Sequence, residues 1–364
     1  MTSRERVIAA ITHQKPDRTP MDFGGTQFSC AEPQVLAGIR NLLGLKLAPD
    51  RDADGVWPDE AIMQAFNVDL RWIPYAPALS VMRDLYPAQY ELEMKTRAGK
   101  PKMSHEDEVM AKEPPLLHAT LDDIKRMKPQ EVLPSPFIDW RRQVAREARR
   151  AGYAVSMSVC AGFFERGCWT RGYEQISVDL LVEPELARAL FDLWMQENLQ
   201  NLENVVTPMA DDVDILCFGD DLGMQTGTFM SPDTFREMVK PYMVEFYRRV
   251  REVAPKCFIF HHSCGSVYPL LDDLIEAGVQ ILNPIQPNAK DMTPEKLKTK
   301  GRGRLCFHGG MDLQELLPRG TPEQIRAEKQ RRLSVLGDGG GYICAPAHIV
   351  PADVPAENIV SLFC

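Results

Sequence analysis

The sequence lacks any apolar run that approaches the roughly 20 residues a transmembrane helix needs. Its first residues, MTSRERVIAAITHQKPDR, also lack the apolar core of a secretory signal peptide. Together these absences predict a cytoplasmic protein that has no membrane partner.

Long blocks of lysine and arginine are missing as well. The chain has 42 basic and 51 acidic residues, which gives a net charge of −9. Its basic residues occur only in short runs such as REARR at 146–150. Because nucleic acids and anionic membranes are bound by concentrated positive charge, this composition argues against both as partners.

The nine cysteines do not follow the spacing of a disulfide framework. An odd number of cysteines in a cytoplasmic chain predicts free thiols or metal ligands. A cysteine within an apolar run, such as Cys217 in DILCFGD, is predicted to be a small core residue.

The second half of the chain alternates short apolar runs with segments of helical periodicity. The runs end in Gly, Asp, His or Asn and lie at 153–162, 213–221, 257–265, 279–287, 304–310 and 341–348. Helix starts between them are marked by Ser231 before Pro232 and by Thr321, with Gln324 three residues later. This alternation is typical of parallel βα units.

Two earlier candidate strands, at 19–25 and 69–75, bring the expected total to eight. We therefore predict an α/β fold, a (β/α)8 TIM barrel with an N-terminal helical segment, as one domain over 1–364. An open doubly wound sheet is disfavoured because no glycine-rich phosphate loop follows the first strand. The stretch 89–117 alternates apolar and polar residues around RAGKP, which predicts a small hairpin or meander within an insertion at 76–118.

In such a barrel, functional residues gather at the carboxyl ends of the strands. Asp220 and Asp221 suit a general base, a carboxylate that orients a metal-bound imidazole, or a contact to a cationic substrate group; the alternative is that Asp221 caps the following turn. Glu165 either faces the barrel mouth or is a solvated first-turn carboxylate. His308, beside two glycines, either contacts a ligand or is a hydrogen-bonded strand-end histidine.

The stretch FHHSCGSV at 260–267 contains the strongest candidate for a metal site. Residues i and i+2 of an extended segment point to the same side, so His262 and Cys264 can reach one ion, and zinc accepts this pair of ligands. A catalytic zinc needs a third protein ligand, for which His348 and Cys344 are the candidates. The alternative is a polar loop with a satisfied histidine.

These segments carry a family resemblance over almost the whole chain. RERVIAAITHQKPDRTPMDFGG, FGDDLGMQTGTFMSPDTFREMVKPY, HHSCGSVYPLLDDLIEAGVQILNPIQP, FHGGMDLQELLPRGTPEQI and GGGYICAPAHIVPADVPAENI resemble successive segments of the uroporphyrinogen decarboxylase superfamily. Within it, the chain is similar to the zinc-dependent methyltransferases that work with a corrinoid. The resemblance implies a (β/α)8 barrel independently of the strand count.

Two departures bear on the reaction. True uroporphyrinogen decarboxylases carry an arginine-rich substrate-binding segment near the N-terminus, whereas DFGGTQFSCAEPQ has no arginine here, which disfavours decarboxylation. The methyltransferases hold zinc through H-x-C, matched by His262 and Cys264, and a distant cysteine, whose position is taken by His348. Either His348 ligates zinc, or Cys344 takes that role, or His348 contacts substrate as in the decarboxylases and no metal binds.

The resemblance implies a zinc-dependent methyltransferase. It would move a methyl group between a small methylated donor, such as a methoxylated aromatic in an O-demethylation, or a thiol, and a corrinoid (cobalamin). The corrinoid would be a free co-substrate or belong to a corrinoid protein that docks on a dimeric enzyme, with 76–118 covering the mouth or receiving that partner. The alternatives are a uroporphyrinogen-type decarboxylase, which is a lyase, and a non-catalytic corrinoid- or tetrapyrrole-binding protein.

Overall fold

The fold is seen in a computed structural model that describes residues 1–46, 56–97, 113–159 and 161–364. Its centre is a curled sheet of seven parallel strands that neighbour one another in chain order. These strands are β1 (Leu70–Trp72), β2 (Ala154–Ser158), β3 (Ile215–Gly219), β6 (Phe258–His262), β7 (Ile281–Asn283), β8 (Cys306–Met311) and β9 (Tyr342–Pro346). A separate antiparallel pair, β4 (Gly223–Met224) and β5 (Gly227–Thr228), follows β3. The predicted α/β class is confirmed.

Helices connect the strands. They are α1 (Ser3–Ile11), α2 (Pro33–Leu43), α3 (Glu60–Ala65), α4 (Leu79–Leu85), α5 (Pro87–Arg97), α6 (Leu121–Arg126), α7 (Ile138–Arg150), α8 (Phe164–Arg171), α9 (Tyr173–Val182), α10 (Pro184–Asn201), α11 (Pro232–Thr234), α12 (Lys240–Val253), α13 (Leu271–Ala277), α14 (Pro294–Gly301), α15 (Leu316–Arg319), α16 (Pro322–Leu336) and α17 (Ala356–Phe363). Short π-helical turns extend α10 at Leu202–Val206 and precede α12 at Phe235–Val239. Within the described ranges, no helix combines the length and the apolar character that crossing a membrane requires.

The helix-start signals of the sequence are confirmed. Thr321 and Gln324 form a reciprocal capping box at the start of α16, and Ser231 accepts a hydrogen bond from the Thr234 backbone N–H before α11. Gly278, with φ of 106°, ends α13 in the left-handed conformation. Each device satisfies backbone groups that a helix terminus would otherwise leave unpaired.

Residues 20–22 contact both edges of the curled sheet, at β9 and next to β1. The predicted strand at 19–25 is reduced to one parallel bridge between Met21 and Cys344. The Cys344 N–H donates to the Pro20 carbonyl and the Asp22 N–H to the Cys344 carbonyl, each at 2.9 Å. On the other side, the Asp69 N–H donates to the Met21 carbonyl, also at 2.9 Å. This short segment therefore lies between β9 and the start of β1.

The hairpin predicted within 76–118 is wrong over 79–97, where the chain forms α4 and α5. The apolar and polar residues of YELEMKTR do alternate, but Glu, Leu, Met and Lys are strong helix formers, and Pro87 suits the first helical position. Residues 98–112, which include the rest of the predicted hairpin, lie outside the described part of the chain.

One end of the barrel-like sheet is filled by α1. Val7 and Ile11 pack with residues from the first halves of several strands, such as Leu70, Ala154 and Cys306. Cys217 is fully buried in the same cluster, which confirms its predicted place in the core. Because α1 occupies the amino-terminal ends of the strands, the opposite end is where polar side chains can converge.

Candidate metal centre

The carboxyl ends of β6 and β9 bring three potential metal ligands together. His262 is the last residue of β6, Cys264 follows two residues later, and His348 lies two residues beyond β9. One ligand atom from each of these side chains lies within 4.8 Å of the others. The Cys264 Sγ is 3.5 Å from the His262 Nε2. The i, i+2 spacing read from the sequence thus places imidazole and thiol on one side of the chain.

The His262 ring is fixed on two sides. Its Nδ1 lies 2.6 Å from the Asn283 Oδ1 at the end of β7, and the Phe28 ring stacks on it at 3.9 Å between centroids. These contacts turn Nε2 toward Cys264 and His348. Burial lowers the pKa of His262 to about 4, so at neutral pH the imidazole is neutral and has a lone pair for a metal.

The loop that carries Cys264 is fixed by hydrogen bonds. The Cys264 N–H donates to the Asp221 Oδ1 at 2.7 Å, and the Gly265 N–H donates to the Gln286 Oε1 at 2.8 Å. The Gln286 amide also points its Nε2 at the Cys264 Sγ, 3.6 Å away. The backbone and the side chain of Cys264 are therefore both held in place.

Gly265 has a left-handed backbone with φ of 74°, and it packs directly against Gly223. A Cβ at Gly265 would lie 2.4 Å from the Gly223 carbonyl carbon, and a Cβ at Gly223 would lie 2.6 Å from the Cys264 carbonyl oxygen. Both positions therefore need glycine for close backbone contact beneath the Cys264 loop.

We expect Gly265→Ala to displace Cys264 and to lower the affinity for a metal, because backbone atoms cannot yield to the new methyl group as a side chain can. Gly303→Ala is the matched control: it has φ of 70°, but no neighbouring atom lies within 4 Å of its Cβ. The free energy of unfolding of the control should fall only by the cost of placing a non-glycine residue in the left-handed conformation, about 1–2 kcal/mol. Metal titration and thermal melting of both variants test this, and equal zinc affinity in the two would contradict it.

Asp221 lies near the His262 nitrogen that faces Cys264. Its Oδ1 is 3.7 Å from the His262 Nε2, and the side chain is half-buried. Burial raises the pKa of Asp221, while the Cys264 N–H and the nearby His348 act in the opposite direction. A carboxyl group at this position can hold or exchange a proton beside the three ligands.

Asp220 is buried and caps α8. Its Oδ2 accepts hydrogen bonds from the Phe163 and Phe164 N–H groups at 3.1 and 3.2 Å, and its Oδ1 accepts from the Glu165 N–H at 2.7 Å. Burial raises the pKa of Asp220 to about 6, and these three donors oppose the rise. Capping was predicted for Asp221 in the following turn, whereas the structure shows it for Asp220 at the helix of the preceding βα unit, and Asp221 accepts from the Cys264 N–H instead. The catalytic role of Asp220 stays a prediction.

Glu165 approaches Gly219 at the end of β3, next to His262. A Cβ built on Gly219 would be 4.0 Å from the Glu165 Oε2 and 3.8 Å from the His262 Cβ, so the glycine leaves room between these two side chains. Glu165 is half-buried in the first turn of α8. That it faces the barrel mouth stays a prediction.

His308 and Cys344 are both fully buried and stand apart from the three ligands. The His308 Nδ1 is 2.8 Å from the Asn283 Nδ2, and its Nε2 is 2.8 Å from the Asp22 Oδ2. His308 therefore lies behind His262 as a hydrogen-bonded strand histidine. The His348 side chain lies close enough to His262 and Cys264 to share a metal ion with them, and Cys344 does not belong to that group.

Comparison with known proteins was made on sequence and on structure. Residues 108–363, well over half of the chain, match the family model described as Uroporphyrinogen decarboxylase (URO-D). The chain belongs to this family. A methyltransferase from Methanosarcina mazei has a similar fold, with a TM-score of 0.62 and 17% sequence identity, over 100% of this chain and 97% of that one. No protein in the curated set matches the chain in sequence.

The three side chains in this URO-D family member fit a catalytic zinc. They offer two imidazoles and one thiol, which are ligand types that zinc prefers, and three protein ligands leave a fourth position open. The second ring nitrogen of His262, Nδ1, also faces a hydrogen-bond acceptor, the Asn283 Oδ1. This arrangement usually supports a metal-bound histidine.

Three residues around the site had no role assigned from the sequence: Asn283, Asp22 and Phe28. Asn283 was visible only as a polar residue at a strand end, with nothing to indicate its partner. Asp22 is 286 residues from the histidine that it contacts. Phe28, in an irregular segment near the N-terminus, had no signal to indicate that it covers His262.

Proposed function

We propose that this URO-D family member is a zinc-dependent methyltransferase that moves a methyl group between a small methylated donor, or a thiol, and a corrinoid. The observation that carries the proposal is the convergence of His262, Cys264 and His348 within 4.8 Å at the carboxyl ends of the strands. His262, Cys264 and His348 would hold the metal. When bound, zinc supplies a Lewis acid for an ether oxygen or a thiol sulphur.

The residues around the ligands suit a methoxylated aromatic donor. The bond between the ether oxygen and the methyl carbon would break, and the methyl group would pass to the reduced corrinoid co-substrate, which would supply the electron pair. Asp221, half-buried and 3.7 Å from the His262 Nε2, gives the departing phenolate its proton. Glu165, across the space left by Gly219, borders the donor on the other side.

In this proposal the site lies at the mouth of a closed (β/α)8 barrel. Residues 20–22 take the eighth strand position, which is supported by their hydrogen bonds to Cys344 on one side and Asp69 on the other. A corrinoid, free or carried by a partner protein, reaches the site from the carboxyl-end face, opposite the end filled by α1.

Family membership makes a uroporphyrinogen-type decarboxylase the second candidate. A porphyrinogen with several carboxylates needs cationic partners, yet the side chains of Asp221 and Glu165 beside the three ligands are acidic. An acidic side chain, protonated or not, cannot neutralise the carboxylates of the substrate, so this candidate fits the local chemistry poorly.

The test is a methyl-transfer assay on zinc-loaded protein. Cob(I)alamin is mixed with a panel of methoxylated aromatics, and methylcobalamin is mixed with thiols, while cobalamin absorbance is followed. We expect transfer with at least one donor or acceptor, and its loss, by about 1,000-fold or more, in Cys264→Ala. A parallel incubation with uroporphyrinogen should leave the substrate unchanged.

Other results would overturn the proposal in distinct ways. Conversion of uroporphyrinogen without methyl transfer would favour the decarboxylase. Tight binding of cobalamin with no turnover for any donor or acceptor would favour a non-catalytic corrinoid-binding protein.

A further inference from the structure

A buried chain of hydrogen bonds runs from Asp22 through His308 and Asn283 to His262. The four side chains come from separate parts of the sequence, and none is more than 5% exposed. We propose that Asp22 and His308, acting through Asn283, are positioning residues that hold the proton of His262 on Nδ1. The lone pair of His262 is thereby kept on Nε2, the atom that faces Cys264. The inference rests on the proposed function only in taking Nε2 as the metal-binding atom.

Asp22 determines which group donates in each of these hydrogen bonds. Its carboxylate can only accept hydrogen bonds, and it already accepts from the Gly25 N–H on Oδ1 at 2.8 Å and from the Ser29 hydroxyl on Oδ2 at 2.6 Å. The His308 Nε2, 2.8 Å from Oδ2, must therefore be the donor in that contact. In the neutral imidazole the other nitrogen, Nδ1, is then an acceptor.

The next two contacts follow from this one. An accepting Nδ1 on His308 requires the Asn283 amide to present its NH2 group there, at 2.8 Å. The amide oxygen then faces the His262 Nδ1 at 2.6 Å, and an oxygen of this kind can only accept. His262 must therefore carry its proton on Nδ1, and each step fixes the orientation of the following group.

Burial makes the arrangement strict. The Phe28 ring stacks on His262, and His308 and Asn283 have no exposed surface, so a mismatched contact could not be relieved by bulk water. Reversing one member would set two lone pairs or two donors against each other in a low-dielectric interior, where such contacts are penalised strongly. A single tautomer of His262 is the consequence.

Asp22→Asn tests the inference because it changes one oxygen to NH2. The Gly25 N–H still needs an acceptor, so the asparagine oxygen takes the Oδ1 position and its NH2 group faces the His308 Nε2. His308 must then accept on Nε2 and donate from Nδ1, the Asn283 amide must rotate, and its NH2 group must face His262. We expect the His262 proton to move to Nε2, where it competes with the metal.

The readout is the tautomer itself, in metal-free full-length protein labelled with 15N-histidine. Long-range 1H–15N spectra at pH 8 distinguish a protonated ring nitrogen from an unprotonated one, and His262→Gln assigns the signal. We expect a protonated Nδ1 in the wild type and a protonated Nε2 in Asp22→Asn. Zinc affinity, measured by competition with a chromophoric chelator, should fall about 10- to 100-fold in that variant.

Two further variants serve as control and rescue. Thr26→Val removes a hydroxyl that lies 3.2 Å from the Asp22 Oδ2 but leaves the carboxylate in place, so the His262 tautomer should not change. Asn283→Asp added to Asp22→Asn supplies a group that accepts from both histidines. It should return the His262 proton to Nδ1 and restore zinc affinity.

The outcomes separate this inference from the proposed function. A protonated Nε2 in the wild type, which needs no variant to fold, would overturn the inference. An unchanged tautomer in folded Asp22→Asn would do the same, even if zinc and methyl transfer were intact. The predicted tautomers in a protein that binds no zinc would support the positioning chain and refute the metal-dependent function.

Discussion

Zinc content is expected to fall from about one ion per chain to less than about a tenth of that when Cys264 is replaced by alanine. The thiolate is the one anionic ligand of the predicted set, and two imidazoles alone hold zinc weakly in competition with water. His348→Ala should have the same effect, because its ring completes the group within 4.8 Å. Metal analysis of protein purified without added zinc measures both.

The controls are residues of the same types away from the site. Cys364 is exposed at the end of the chain, and the His118 side chain is 82% exposed, so alanine at either position should leave zinc unchanged. A chelator should lower the melting temperature of the wild type but not of Cys264→Ala, since a ligand stabilises only the protein that binds it.

Two results would contradict the predicted ligand set. Zinc retained in His348→Ala and lost in Cys344→Ala would move the third ligand to Cys344, which would require the buried β9 to shift. Wild-type protein that takes up no zinc even after reconstitution would refute the metal centre, and His262 would then be an ordinary strand-end histidine.

Asp69→Ala is expected to lower the free energy of unfolding by about 2–3 kcal/mol, because the Arg6 Nη1 and the Met21 N–H lose their buried acceptor, although Arg6 keeps its ion pair with Asp17. The Asp69 carboxylate is fully buried and accepts from Arg6 and Arg18, each at 2.7 Å, and from the Met21 N–H at 2.9 Å. Most of the loss should come from Arg6, whose side chain is 10% exposed, since that of Arg18 is 40% exposed. Chemical denaturation measures the change.

The matched control is Asp211→Ala. Asp211 pairs with Lys256 at 3.3 Å, but their side chains are 86% and 82% exposed, and water screens such pairs, so stability should hardly change. Equal effects of the two variants would contradict a structural role for Asp69. Because Met21 precedes Asp22, we also expect Asp69→Ala to weaken zinc binding through the segment that it holds beside β1.

Local rules were enough to predict much of the fold. Apolar runs bounded by polar strand ends gave the strands from β2 to β9 in the main sheet, and the caps at Ser231 and Thr321 marked helix starts correctly. The failure at 79–97 has a local cause too. The prediction of a hairpin followed a weak two-residue alternation, but the residues have high helix propensity and form helices.

The candidate site, too, was predicted only in part from the local sequence. The H-x-C spacing alone put His262 and Cys264 on one side, because the geometry of an extended segment is local. Only the tertiary structure brought His348 rather than Cys344 to them, turned Asp220 into a helix cap, and joined Asp22 to His308 across 286 residues. These choices depend on where distant strand ends meet and which nitrogen of a ring faces which oxygen, and neither is encoded in the spacing of neighbouring residues.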